Sequence, residues 1–304
     1  MPDDIQAQAS NTRTLTPTVA AVRAALNGVS NEPGVAKPDP ILVGSTITRA
    51  FGGLVAVDVD NLEVQRGSIT ALIGPNGAGK TTLFNLLTGF DQPNSGSWEF
   101  EGRELAHMRP YKVARLGMVR TFQLTKALSR MTVLDNMRLG ATGQRGEGFF
   151  AGLVKGLWGA QEAANTTRAE EILSRFNLAE KSADFAGSLS GGQRKLLEMA
   201  RALMTNPVMV MLDEPMAGVN PALTQSLLGH IKDLREQGMT VMFVEHDMDM
   251  VRDISDWVVV MAQGRIIAEG PPEVVMGDKV VVDAYLGAHH DQALTESGVS
   301  LQED

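Results

Sequence analysis

The fold is decided by the stretch Ser68-Ile-Thr-Ala-Leu-Ile-Gly-Pro-Asn-Gly-Ala-Gly-Lys-Thr-Thr82. Its first residues, Ser68 to Ile73, form a short run with β-branched side chains and predict a strand. From Lys80 to Thr88 the apolar residues have helical spacing, which predicts a helix. The loop between the two has the pattern Gly-x-x-x-x-Gly-Lys-Thr, typical of a loop that binds phosphate groups. The stretch therefore predicts a phosphate site at the junction of a strand and a helix.

The glycines of this loop let successive backbone N–H groups surround anionic oxygens, with the positive end of the helix behind them. Lys80 adds a positive charge at the β and γ phosphates, and the Thr81 hydroxyl suits Mg²⁺, which prefers hard oxygen ligands. A chance glycine-rich turn is the alternative, but the flanking strand and helix favour a phosphate site. The predicted nucleotide ligands here are Gly74, Pro75, Asn76, Gly77, Ala78, Gly79, Lys80, Thr81 and Thr82.

Strands and helices are predicted to alternate in the second half of the chain. The predicted strands are 208–212, 240–244 and 257–261, and the predicted helices are 192–204, 221–236 and 248–253. Such alternation is typical of parallel strands with helices on both faces. Between 131 and 185 the composition is mainly helical and predicts a helical subdomain. Its glycine-rich interruption at 140–159 is either a loop packed on the core, which we favour, or a surface that contacts lipid or a partner.

The two ends of the chain differ from this pattern. Residues 1–40 are rich in Ala, Thr, Asn and Pro, and the closely spaced prolines near residue 40 predict a flexible extension with a short helix at Thr18 to Asn27. The tail at 288–304 is polar and acidic and is predicted to be disordered.

Composition narrows the class of protein. The 304 residues are 43% hydrophobic and 21% charged, which fits one large α/β domain with tails. A net charge of -9 argues against nucleic acid as a partner, and the absence of cysteine excludes disulfides and thiolate sites. We find no apolar stretch of bilayer length and no secretory signal pattern, so we expect the protein to stay inside the cell.

Two carboxylates follow a continuous apolar run. Residues 207–212 suit a central parallel strand, and Asp213 and Glu214 come at its carboxyl end, the edge at which such sheets bind ligands. Alone, this pair would more often be a solvated turn. Beside a phosphate loop, Asp213 is predicted to orient Mg²⁺ through water and Glu214 to polarise the water that attacks the γ phosphate.

The string Leu189-Ser-Gly-Gly-Gln193 opens a predicted helix. A serine cap at Ser190 accounts for part of it. Together with the phosphate loop and the Asp-Glu strand, however, it resembles the signature of ATP-binding-cassette (ABC) ATPases, and the resemblance covers about 41–287. It implies an α/β P-loop NTPase cassette with a mostly parallel core sheet, an antiparallel β subdomain and a helical signature subdomain at about 131–190.

The resemblance also implies roles for further residues. Phe51 matches an aromatic that stacks on adenine, although a buried core Phe is the alternative. Gln123 matches a ligand of Mg²⁺ and of the attacking water, and His246 a contact of the γ phosphate. The loop 217–220 departs from the common Ser-Ala-Leu-Asp, which weakens inferences about communication between ATP sites. A second cassette's ATP is expected to contact Ser190, Gly191, Gly192 and Gln193.

In such ATPases two cassettes sandwich ATP and Mg²⁺ on transmembrane permease subunits at the cytoplasmic face of the plasma membrane. The runs Thr88-Gly-Phe90, Arg120-Thr-Phe-Gln123 and Ala284-Tyr-Leu-Gly287 resemble the ATPases of branched-chain amino-acid importers, which work with a substrate-binding protein. The resemblance implies that a short cytoplasmic helix of the permease docks on the surface formed by 124–138 and the helical subdomain. The second cassette is either identical or a related chain. Urea transporters, other ABC transporters and soluble assembly or scaffold ATPases are the alternatives.

Overall fold

The computed structural model describes residues 18–121, 128–141 and 159–286. Its strands are β1 (Pro40–Phe51), β2 (Leu54–Gln65), β3 (Ile69–Ile73), β4 (Ser95–Phe100), β5 (Arg103–Glu104), β6 (Met118–Arg120), β7 (Met209–Asp213), β8 (Thr240–Val244), β9 (Trp257–Ala262) and β10 (Arg265–Gly270). Its α-helices are α1 (Val19–Leu26), α2 (Lys80–Leu87), α3 (Pro110–Arg115), α4 (Val133–Leu139), α5 (Gly159–Arg175), α6 (Gly191–Leu203), α7 (Pro221–Glu236), α8 (Met248–Ile254), α9 (Pro272–Val275) and α10 (279–286).

A six-stranded sheet in the order β10-β9-β3-β8-β7-β6 forms the centre of the fold. Its strands pair in parallel except β10, which runs antiparallel to β9. Every residue of β3, β7 and β8 is buried, as continuous apolar strands covered on both faces should be. Because these strands are parallel, the phosphate loop, Asp213 and the segment after Val244 emerge at one edge. The predicted alternating α/β core is confirmed.

A second sheet in the order β2-β1-β4-β5 is antiparallel. Its long β1–β2 hairpin turns between Phe51 and Leu54, which are paired across the turn. The inner faces of both strands pack on the core that also holds α2 and one face of the central sheet. This hairpin carries Phe51 to the rim of the phosphate loop.

The helical region contains α4, α5 and two short 3-10 turns at Ala179–Lys181 and Ala186–Ser188. Asn136 of α4 is fully buried and holds the backbone of the preceding turn, accepting from Leu128 N at 2.8 Å and donating to Leu128 O at 3.1 Å. Residues 142–158, which include most of the glycine-rich interruption, lie outside the described part of the chain. Among the described helices, none is long and apolar enough to cross a bilayer.

The amino-terminal segment corrects one prediction. The short helix is confirmed as α1, capped by the Thr18 hydroxyl, but the described part of the expected flexible extension, 18–39, is packed on the fold. Val22 and Leu26 are buried in the core, and the Lys37 ammonium is buried 2.8 Å from Glu269 Oε2. Prolines disfavour helices and strands but do not prevent burial. Burial of apolar side chains and of one paired charge holds this segment on the fold. Residues 1–17 and 287–304 lie outside the described ranges.

Docking of α1 gives a first prediction. Leu26→Ala should lower the free energy of unfolding by about 2 to 3 kcal/mol, since it removes a fully packed side chain from the core. Urea denaturation followed by tryptophan fluorescence measures this loss. Arg23→Ala is the matched control on the same helix: Arg23 is 55% exposed and Asp256 keeps its second partner, Arg235, so the expected cost is below about 1 kcal/mol. Equal stability of Leu26→Ala and the unaltered protein would show that α1 is not docked.

Candidate functional site

The phosphate loop is shaped by close backbone approaches. Gly74, Gly77 and Gly79 have φ of 149°, 78° and 101°, in the region that favours glycine. A Cβ on Gly74 would collide with the Met261 carbonyl, and one on Gly79 with the Ala56 carbonyl, whereas one on Gly77 would meet nothing within 4 Å. The first and last glycines are therefore required by packing, and the middle one by its backbone conformation on the open side of the loop.

Lys80, the first residue of α2, curls over this loop. Its Nζ donates to Gly74 O at 2.7 Å and to Pro75 O at 2.9 Å. Burial lowers the pKa of Lys80, and the negative charges of Glu214 and Asp213 oppose that shift. The predicted cation and the two predicted carboxylates thus act on one another electrostatically, as a shared site requires.

An open cleft of ≈ 690 Å³ lies between the phosphate loop and the tip of the β1–β2 hairpin. Phe51 is 49% exposed on its wall, which excludes the alternative of a buried core Phe. The Arg49 guanidinium lies 4.5 Å from the centroid of its ring. The cleft is lined by Phe51, Leu54, Val55, Ala56, Asn76, Gly77, Ala78, Gly79, Lys80, Thr81, Thr82, Glu214 and Gln263.

Asp213 ends β7 and Glu214 follows it, as predicted, but the two side chains have different surroundings. Asp213 Oδ2 accepts from Arg120 Nη2 at 2.6 Å, and both side chains are nearly buried. Arg120 Nη1 also donates to Asn85 Oδ1 on α2 at 2.7 Å, so it connects the strand end to the helix that follows the phosphate loop. Glu214 reaches the cleft wall with φ of 46°, a left-handed conformation uncommon for a non-glycine residue. Arg120 is the first residue of the run Arg120-Thr-Phe-Gln123, but the sequence did not predict its ion pair with Asp213.

His246 follows β8 at the same edge of the sheet. Val244, two residues earlier, is the register partner of Asp213, and its carbonyl accepts from Glu214 N at 3.1 Å. The His246 side chain is 69% exposed, and its Nδ1 lies 3.7 Å from Glu245 Oε2. An imidazole so placed is available to an anionic ligand at the sheet edge.

The predicted signature residues lie elsewhere. The Ser190 hydroxyl accepts from Gln193 N at 3.2 Å and the Gln193 Oε1 accepts from Ser190 N at 3.0 Å, a capping box that begins α6 and confirms the predicted serine cap. Among the described residues that line the cleft, none comes from 190–193. The loop 217–220 ends in Asn220, which caps α7 by accepting from Leu223 N. Gln123 lies outside the described residues.

Sequence reasoning missed three residues behind the site. Lys195 and Glu245 contact the backbone just after Asp213. Tyr285 of α10 lines a groove with Ile73, the last residue before the phosphate loop. Burial raises the pKa of Tyr285 to about 12, with the Gly74 backbone acting in the opposite direction. Tyr285 belongs to the run Ala284-Tyr-Leu-Gly287, which we used only for family resemblance, and Lys195 and Glu245 each lie close to a recognised motif.

Two family models match the chain. One, described as ABC transporter, covers residues 57–217, and the other, described as branched-chain amino acid ATP-binding cassette transporter, covers 265–291. The chain is 41% identical to a probable branched-chain amino acid transport ATP-binding protein LivG of Archaeoglobus fulgidus, over 83% of this chain and 97% of that protein. It is 43% identical to the high-affinity branched-chain amino acid transport ATP-binding protein BraF of Pseudomonas aeruginosa, over 82% and 98%.

Solved structures with a similar fold are also ATP-binding cassettes of ABC transporters. A nucleotide-free ATP-binding cassette from an ABC transporter superposes with a TM-score of 0.71 at 38% identity, covering 81% of this chain and 98% of that chain. An ABC transporter cassette in its ADP conformation superposes with a TM-score of 0.69 at 36% identity, covering 82% and 99%.

Proposed function

The chain belongs to the ABC transporter family and is an ATP-hydrolysing subunit of an importer; from this premise we propose that it drives uptake of branched-chain amino acids. The observation that carries the choice of solute is the second family match at 265–291. That segment spans β10, α9 and α10 and places Tyr285 in a groove with Ile73, the last residue before the phosphate loop. The part of the chain that points to the solute class thus lies beside the strand that leads into the phosphate loop.

In the proposed complex ATP lies in the cleft with its phosphates on the loop 74–82. The backbone N–H groups and the Lys80 ammonium hold the β and γ phosphates, aided by the positive end of α2. The Phe51 ring receives the adenine, because it is exposed at the cleft wall and an exposed aromatic face stacks on any flat base.

The adenine contact gives a second prediction. Phe51→Ala should raise the KM for ATP about tenfold with kcat little changed, because stacking on a base contributes about 1 to 3 kcal/mol and acts before chemistry. Phosphate release measured against ATP concentration gives both constants. Tyr111→Ala is the matched control, since Tyr111 is 50% exposed on α3 and is not among the residues lining the cleft. An unchanged KM in Phe51→Ala would remove Phe51 from the nucleotide site.

Residues in and beside the cleft offer oxygen donors of the kind that Mg²⁺ prefers. Thr81 offers a hydroxyl oxygen in the cleft. Asp213 does not line the cleft, and its carboxylate lies at the end of β7, paired with Arg120. No group of three or more His, Cys, Asp or Glu in the described ranges could hold a metal unaided. A cation here therefore depends on phosphate oxygens and water as well. Thr81, Asp213 and Gln123 would hold Mg²⁺, which when bound neutralises charge on the β and γ phosphates.

Hydrolysis requires a positioned water. Glu214 at the cleft wall accepts the proton of that water as its oxygen bonds to the γ phosphorus and the bond to the β-phosphate oxygen breaks. His246, exposed at the same edge, would contact the γ phosphate. Gln123 would hold Mg²⁺ and contact the attacking water. Glu214, the proton acceptor, and His246, the proposed contact of the γ phosphate, thus follow the neighbouring strands β7 and β8.

A second cassette completes the site. Since 190–193 of this chain lies away from its own cleft, Ser190, Gly191, Gly192 and Gln193 contact ATP bound to the partner cassette, and the partner's equivalent segment closes this one. ATP then joins the halves, and its cleavage lets them separate. The partner is a second copy or a related chain, and both dock on permease subunits at the cytoplasmic face of the plasma membrane.

The proposal is tested by affinity purification of the Glu214→Gln protein with ATP and Mg²⁺ from detergent-solubilised native membranes, with mass spectrometry of its partners. The closed state should retain partners best. Recovery of polytopic permease subunits, a second cassette and a leucine-binding protein supports the proposal. A urea-binding protein would reassign the solute, and soluble partners alone or nucleic acid would favour an assembly or scaffold ATPase.

A further inference from the structure

Lys195 reaches from the signature helix to the catalytic turn. It lies on α6, which begins just after Ser190, and it is half-buried. Its Nζ donates to Glu214 O at 3.1 Å and to Pro215 O at 3.0 Å. A single ammonium therefore holds two successive carbonyls of the turn that carries Glu214.

Glu245 holds the same turn from the other side. Its side chain is 2% exposed, and its Oε1 accepts from Met216 N at 3.1 Å. The other oxygen, Oε2, accepts from the backbone N of His246 at 3.2 Å. Glu245 thus joins the turn 214–216 to the loop that presents His246.

The turn needs such support. Glu214 has φ of 46°, and non-glycine residues persist in this conformation only where the surrounding structure fixes them. Glu214 N donates to Val244 O at 3.1 Å, so its amide is held by β8 and its carbonyl by Lys195. Moving either contact would let the backbone relax and carry the Glu214 carboxylate away from its place in the cleft.

The two holding residues are also paired electrostatically. Burial lowers the pKa of Lys195, and the charges of Glu245, Glu198 and Glu214 oppose this. Burial raises the pKa of Glu245, while the N–H groups of Met216 and His246 act to lower it. Removing the charge of Glu245 therefore also removes part of what favours the charged form of Lys195.

We propose that Lys195 and Glu245 are positioning residues that fix the catalytic turn, and that Lys195 couples the two ATP sites of the dimer. The coupling rests on the proposed sandwich, in which the segment at the start of α6 contacts the partner's ATP. Because α6 is a rigid helix, seating Ser190 on that nucleotide sets the position of Lys195. Lys195 in turn sets Glu214, which acts on the other nucleotide.

The test compares Lys195→Met, which keeps the apolar stem but removes the donor, with Lys195→Arg, which keeps a donor and the charge. Full-length protein is purified with its recovered partners, and kcat, KM and the Hill coefficient for ATP are measured. Lys195→Met should lower kcat about 10- to 100-fold with KM within about twofold, because misplacing a catalytic group by about 1 Å costs up to 100-fold. Its Hill coefficient should fall towards 1, and Lys195→Arg should restore kcat to within about fivefold.

Glu245→Gln provides an independent variant of nearly unchanged shape. Its amide oxygen still accepts from Met216 N, but its NH₂ group cannot accept from His246 N, so kcat should fall about tenfold with KM retained. Lys232→Met is the control. Lys232 lies on α7 and pairs with Asp253 of α8 at the surface, so this variant should keep the kinetics of the unaltered protein. Should Lys195→Met fail to fold, Glu245→Gln decides the positioning role.

Values of kcat within about twofold of the unaltered protein in both Lys195→Met and Glu245→Gln would overturn the positioning role. A lowered kcat with an unchanged Hill coefficient would overturn the coupling and leave the positioning role in place. Failure of the proposed sandwich has a different signature, since the unaltered protein and Lys232→Met would then already show a Hill coefficient of about 1.

Discussion

Glu214→Gln is expected to lower kcat for ATP hydrolysis about a thousandfold while the affinity for ATP stays within about threefold. The substitution keeps the shape of the side chain at the end of β7, but the amide cannot take the proton of the attacking water. The phosphate loop and Lys80 are unaltered, so the ground-state contacts of the nucleotide remain. Phosphate release and equilibrium binding of a fluorescent ATP analogue measure the two quantities.

Glu236→Gln is the matched control for this variant. Glu236 is the exposed last residue of α7, so losing its charge should leave kcat and affinity at their ordinary values. Near-normal turnover in Glu214→Gln would remove Glu214 from the role of general base. A parallel loss of nucleotide affinity would instead point to damage of the cleft.

Ser190→Arg is expected to stop ATP hydrolysis, with kcat at least about a hundredfold lower, while each chain still binds ATP. In the proposed sandwich the new side chain fills the space of the partner's γ phosphate and prevents closure. The chain's own cleft is untouched, because residues 190–193 do not line its described walls. Coupled phosphate release and nucleotide binding to the isolated chain separate the two effects.

Ser190→Ala distinguishes blocking of the interface from loss of the helix cap. Both substitutions remove the hydroxyl that accepts from Gln193 N, at a cost of about 1 kcal/mol in unfolding free energy. Ser190→Ala should therefore lose stability to the same extent but retain considerably more activity. Full activity in Ser190→Arg would refute the sandwich, and equal activity of the two variants would attribute the loss to the cap.

The sequence predicted the parts of the fold that depend on neighbouring residues. The phosphate loop, the apolar run ending at Asp213 and the capped start of α6 each show a pattern within about ten residues. Their meeting at one sheet edge follows from parallel strands. The fold class and the position of the phosphate loop could therefore be predicted from the sequence.

Contacts between distant residues were not accessible. Lys37 and Glu269 are 232 positions apart, and Arg120 and Asp213 are 93 apart. No local periodicity predicts such pairs. The proline content near residue 40 predicted a flexible segment, whereas the described residues 18–39 are held by buried contacts. The contact of Lys195 with Glu214 spans only 19 positions, but it also joins two separate elements and so follows from no local pattern.

Transport of labelled leucine into proteoliposomes measures whether this chain converts ATP cleavage into branched-chain amino-acid uptake. The proteoliposomes contain the purified permease complex, with ATP on the side of the cassettes and the solute-binding protein on the opposite side. We expect leucine transport that requires ATP and is lost with Glu214→Gln. ATP hydrolysis without leucine transport, or transport of urea in its place, would contradict it.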